Sequence, residues 1–166
     1  MNLISIGIEL TSEEEMKREL QEKYERLKSG DFKRRSVRYV LENPREDEFY
    51  VLVTRYYPIE LRRRAMKFED SPLDEWDRDL APSPNLLNWW KKGPRTLERW
   101  KEYTKRFLKE VPPVLIRRKA EIYKDLAKGK TVVFVCIEED WEHPYCHTWI
   151  ILDVLEEVRT RSRVTS

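Results

Sequence analysis

The chain has 166 residues, a length that forms a single hydrophobic core, since chains divide into domains only beyond roughly 250–300 residues. Charged residues make up 39% of it, yet 33 Lys and Arg stand against 31 Asp and Glu, so the formal net charge is only +2. Dense but balanced charge argues against a nucleic-acid coat and against an acidic disordered tail, and 11% aromatic residues supply material for a folded interior.

In chain order, Leu3 to Ile8 reads as a short apolar strand. Thr11 to Glu15 then offers a capping hydroxyl with acids in a first helical turn, and Met16, Leu20, Tyr24 and Leu27 share one face before Ser29-Gly30 stops the helix. Val37, Tyr39 and Leu41 alternate with polar neighbours, so Ser36 to Leu41 is expected to be a half-exposed edge strand. Phe49 to Val53 is continuously apolar, as a central strand covered on both faces must be.

No strand is expected from Pro58 to Lys128. Ser71-Pro72 and Ser83-Pro84 predict short helices over Leu73 to Leu80 and Asn85 to Trp90. Longer helices are predicted over Pro94 to Glu110 and over Val114 to Lys128, the second ended by Gly129. Thr131 to Ile137 is a second fully apolar strand, and a last helix is expected from about Pro144 to Val158, followed by a frayed basic tail, 159–166. The expected fold is therefore one α/β domain over 1–166 with a mostly parallel sheet of about four strands. Helices flank the sheet and a helical insertion separates its last two strands, with 1–30 as an added β-α element.

Two cysteines, Cys136 and Cys146, are too few for a secreted disulfide scaffold, and no apolar run reaches the ~18–20 residues of a membrane span, so a cytoplasmic protein with no membrane association is expected. Asn and Gln together number five, a composition that resembles thermophile proteins.

Ligands of parallel sheets bind where the carboxyl ends of strands open into loops. The segment Cys136 to His147 follows the last strand and holds both cysteines and both histidines of the chain. With a helix opening near Pro144, Cys146 and His147 lie among free backbone N–H groups, which favour anions. His147 is expected as acid or base with Glu138 to orient it, Cys146 as a nucleophile, and Cys136 and Trp141 as lining. The plainer reading makes both cysteines packing residues. His143 and His147, four apart, with Cys146 or Cys136, admit a metal reading. However, Pro144 keeps His143 off the helix and no Cys-x-x-Cys exists, so no metal and no cofactor is assigned. Arg55, directly after the central strand, suits a carboxylate or phosphate, or else an ion pair with Glu138 or Asp140, and Ser83 joins it as a substrate-binding residue.

The segments Tyr50 to Pro58, Trp76 with Leu80-Ala81-Pro82-Ser83-Pro84-Asn85-Leu86, Trp89-Trp90, Trp100 to Tyr103, Phe107-Leu108 and the closing Cys146-His147 form a recognisable series. Over roughly Val37 to Glu157 it resembles the domain of unknown function 488 family, in particular its YeaO-like group. The resemblance implies a central-strand arginine, carried by Arg55, and a histidine at the start of the last helix, carried by His147. Thr54 stands where an Asp is usual, Ile59-Glu60 where many members have Arg-Gly, and Thr148 where one branch has Arg. The resemblance implies a fold and a pocket rather than a reaction. Two functions are open on these residues. One is an enzyme acting on a small anionic or nucleotide-like ligand. The other is a non-catalytic module binding nucleic acid through Arg62 to Arg64 and Arg159, Arg161 and Arg163.

Overall fold

A computed structural model describes residues 12–137 and 145–165, with the backbone alone at 12, 13 and 158–165. The elements are α1 (Ser12–Leu27), β1 (Lys33–Ser36), α2 (Val37–Glu42), β2 (Glu48–Leu52), α3 (Ile59–Arg63), β3 (Glu75–Trp76), α4 (Pro84–Lys92), α5 (Leu97–Glu110), α6 (Pro113–Ala127), β4 (Thr131–Cys136) and α7 (His147–Thr165). The strands form one parallel sheet in the order β1-β4-β2-β3, with Ser36 opposite Cys136 and Leu52 opposite Val135. The two apolar runs, β2 and β4, therefore occupy the interior of the sheet.

Side chains alternate across a strand, and that parity builds two cores. Val51, Val53, Val132, Phe134 and Cys136 face the larger one with α1, α4, α5, α6 and α7, while Tyr50, Leu52, Val133 and Val135 face the smaller one with Val37, Val40, Leu61 and Leu73. The helix ends follow local chemistry. Ser83 and Thr96 cap α4 and α5 by accepting from Leu86 and Arg99 amides, and α6 stops where Lys128 turns left-handed before Gly129 at φ 91°.

Three sequence expectations are corrected. Only Ser36 of the segment Ser36 to Leu41 is a strand residue. Its hydroxyl accepts from the Tyr39 amide and starts α2, in which Val37 and Val40 are buried and Tyr39 is exposed. Leu73 to Leu80 is not a helix. The Asp74 and Asp77 amides donate to Tyr50 and Leu52 carbonyls, which pulls Glu75–Trp76 into the sheet as β3, and a 3-10 turn follows at Arg78–Leu80. The last helix begins at His147 rather than near Pro144 and runs to Thr165, past the expected end. The expected strand Leu3 to Ile8 lies outside the described residues. Among the described residues, no helix is long and apolar enough to cross a membrane.

Candidate functional site

The carboxyl ends of β1, β2 and β4 meet the start of α7. Because β1 and β4 are in parallel register, Arg34 and Cys136 point to the same side of the sheet, the side on which α7 packs. There the Arg34 guanidinium, buried at 5% exposure, donates from Nη2 to Cys136 Sγ at 2.7 Å and from Nε to Thr148 Oγ1 at 2.9 Å. Thr148 Oγ1 donates to Cys146 Sγ at 3.2 Å, and Cys146 Sγ donates to Cys136 Sγ at 2.9 Å. Neither cysteine is in a disulfide. Burial alone would disfavour the Arg34 cation, but its interactions with the Cys136 and Cys146 sulfurs more than offset it and hold the guanidinium above its ordinary range.

His147 lies one residue on from Cys146, with Nδ1 at 3.9 Å from its Sγ, while Nε2 is at 2.7 Å from the Val53 carbonyl. A carbonyl can only accept, so a neutral His147 donates from Nε2 and presents Nδ1 as an acceptor on the sulfur side. The end of β2 thus sets both the orientation and the tautomer of the histidine.

Cys136, Cys146 and His147 line a cavity of about 230 Å³ together with Thr54 to Ile59, Pro82, Trp90, Lys91, Tyr103 and Tyr145. The inner wall is aromatic, with the Trp90 and Tyr145 rings at 5.6 Å edge to face, and the mouth carries the exposed Tyr56, Ile59 and Ile137. Two cations stand at it. Arg55 donates from Nε to the Pro82 carbonyl and from Nη2 to the Arg78 and Ala81 carbonyls, with Nη1 unengaged by the described residues, and Lys91 projects from α4. A larger depression of about 420 Å³ between α1, α5 and α7 contains no cysteine and no histidine.

Of the residues expected from the sequence, Arg55, Cys136, Cys146 and His147 come together in the cavity. Ser83 does not line it; it caps α4, and its hydroxyl donates to Glu110. Glu138, Trp141 and His143 lie outside the described residues. Arg62 to Arg64 are exposed in and just after α3, away from the cavity lining. No group of three or more His, Cys, Asp or Glu able to hold a metal is found among the described residues. Sequence reasoning missed Arg34, Lys91 and the aromatic wall of Trp90, Tyr103 and Tyr145. The one available signal for Arg34 was parity, since a strand Lys33–Ser36 beside β4 must bury alternate residues whatever their polarity.

The fold and the site define an α/β protein with an all-parallel four-stranded sheet and a thiol-histidine cavity at its carboxyl edge. The chain belongs to the DUF488 family: the model of its active DUF488-N3 subclade matches residues 34–159, about three quarters of the sequence. That match begins at Arg34 and covers every described residue of the cavity. No curated protein and no solved structure matches the chain.

Proposed function

We propose that the chain is an enzyme acting on a small anionic, nucleotide-like ligand bound in the cavity at the carboxyl edge of the sheet. In this reading Arg55 and Lys91 hold the anionic group, Tyr56 and Tyr57 lie against a planar moiety, and His147 transfers a proton through Nδ1 beside the Cys146 thiol. What supports it above all is the convergence, in one cavity, of a histidine with a fixed tautomer, a thiol and two cations, where the ends of buried strands meet the start of α7 and α4.

Calorimetric titration with nucleoside monophosphates and diphosphates tests the reading. Binding should weaken at least about tenfold in Lys91→Ala, the loss of one charge-assisted contact, and should persist in His147→Asn while any turnover disappears. If none of these compounds binds the wild type, or if binding is indifferent to Lys91→Ala, the reading fails.

A further inference from the structure

We propose that Cys136 and Cys146 are a redox-active dithiol, in which Cys136 reacts with a hydroperoxide and Cys146 resolves the product to a disulfide within the chain. The proposal does not rest on the nucleotide reading, since it needs neither Arg55 nor Lys91.

Three hydrogen bonds around the two sulfurs form a series directed toward Cys136. Thr148 accepts a hydrogen bond from Arg34 and donates one to Cys146, and Cys146 donates one to Cys136. Cys136 accepts from the cation as well, at 2.7 Å from Nη2, and lies 3.6 Å from Thr148 Oγ1. Two donors, one of them charged, converging on one sulfur favour its thiolate, the nucleophilic form. The neighbouring Cys146 Sγ stands 2.9 Å away. A disulfide of ~2.05 Å requires the two sulfurs to approach by about 0.9 Å more. Both residues are closed to bulk solvent, at 0% and 3% exposure, yet both line the cavity, which gives a small oxidant a route to them.

In the first step the Cys136 thiolate attacks the distal oxygen of the hydroperoxide. The O–O bond breaks, Cys136 becomes a sulfenic acid, and the alkoxide or hydroxide leaving group takes a proton from solvent. In the second, Cys146 attacks the Cys136 sulfur. The S–O bond breaks, the S–S bond forms, and the departing hydroxide takes the Cys146 proton to give water. Two thiols lose two electrons and two hydrogens in all, and the peroxide is reduced to an alcohol, or to water, and a further water. Arg34 holds Cys136 in its reactive form and is a positioning residue for this step.

The test treats the reduced full chain with hydrogen peroxide, then alkylates it and maps its peptides by mass spectrometry. Alkylatable thiols should fall from two to none, with a linked Cys136–Cys146 peptide appearing. In Cys146→Ser the reaction should stop at a sulfenic acid on Cys136, trapped by dimedone, and in Cys136→Ser the Cys146 thiol should survive the same dose. Arg34→Lys, which keeps the charge and loses the fork, should slow disulfide formation at least about tenfold. The proposal is overturned if both wild-type thiols remain alkylatable in excess peroxide, or if Cys146 oxidises as fast without Cys136 as with it. The wild-type measurement decides the pairing even if a variant fails to fold, and no nucleotide enters any readout.

Discussion

Arg34 and Arg35 are neighbours in β1 and serve opposite faces of the sheet. Arg34 meets the two sulfurs and lies over the Trp149 ring at 5.1 Å, which itself stacks on Tyr24 at 4.4 Å. Arg35 grips Glu48 with a two-pronged contact of 3.0 and 2.7 Å, and Tyr50 donates to the same carboxylate at 2.8 Å. Burial alone would raise the Glu48 carboxyl, but the bonds from Arg35 and Tyr50 outweigh it and hold the group below its ordinary value. Burial and that same carboxylate push the Tyr50 hydroxyl up to about 12. A carboxyl depressed in the folded state contributes stability that is complete above its unfolded value and is lost as pH falls through its folded one. Glu48→Gln should therefore cost about 2 kcal/mol at pH 7, in the range of hydrogen bonds to charged groups, and less with each step of acidification below about pH 5. Urea unfolding of both proteins across that range measures it, and a difference constant with pH would remove the charge from the account. In the sequence, both arginines precede the expected edge strand and belong to no predicted element. Side-chain type alone does not reveal a buried cation whose partners lie 102 and 114 residues away.

At the scale of elements, the readings that succeeded were those whose pattern allowed one interpretation. Five consecutive apolar residues in β4, Val132 to Cys136, cannot be half exposed, and α5 places Leu97, Trp100, Tyr103 and Phe107 on a single buried face. Ser36 to Leu41 failed because Val37, Val40 and Leu41 satisfy a six-residue helix about as well as Val37, Tyr39 and Leu41 satisfy a strand, and the capping hydroxyl of Ser36 decided between them. The candidate site was legible for a related reason: strand ends and a helix start can be located from apolar runs, whereas Trp90, Tyr103 and Tyr145 reach the cavity only through tertiary packing. Ser83, within the recognisable segment Leu80 to Leu86, was read as a substrate-binding residue beside Arg55, but its hydroxyl serves the start of α4. That segment is held from the other side by Arg55, which bridges the carbonyls of Arg78, Ala81 and Pro82. Arg55→Lys keeps a cation at the cavity and cannot span all three acceptors. It should lower stability by about 1–2 kcal/mol and speed amide exchange through residues 78–83 before it affects the rest of the sheet. Unchanged exchange there would show that the carbonyl contacts do not hold the segment.

On the scale of the whole molecule, charge and burial divide the work. The balanced charge lies largely on exposed helix faces, while β2 and β4 run between two apolar clusters and are almost wholly buried. The groups that must keep fixed geometry, Cys136 and the Val53 carbonyl that orients His147, sit at the ends of those two strands. The cavity walls Thr54 to Ile59 and Pro82 belong to the stretch between β2 and α4, which is tied to the sheet by a two-residue strand. Such an arrangement makes stability uneven, because opening free energies range from almost nothing in loosely tied segments to the global value in core strands. Amides of Val132 to Val135 and Tyr50 to Leu52 should exchange only through global unfolding, with rates that follow denaturant as the whole-protein transition does. Amides from Tyr56 to Trp76 should exchange through smaller openings that respond weakly to denaturant. Native-state hydrogen exchange at increasing urea separates the two classes. If the stretch from Tyr56 to Trp76 merges with β2 and β4 at the lowest urea concentrations, the cavity wall is part of the rigid core. A ligand would then have to enter without the wall opening. If the classes stay distinct, ligand binding should slow exchange mainly in the wall, since only the ordering of that part remains to be completed when the cavity fills.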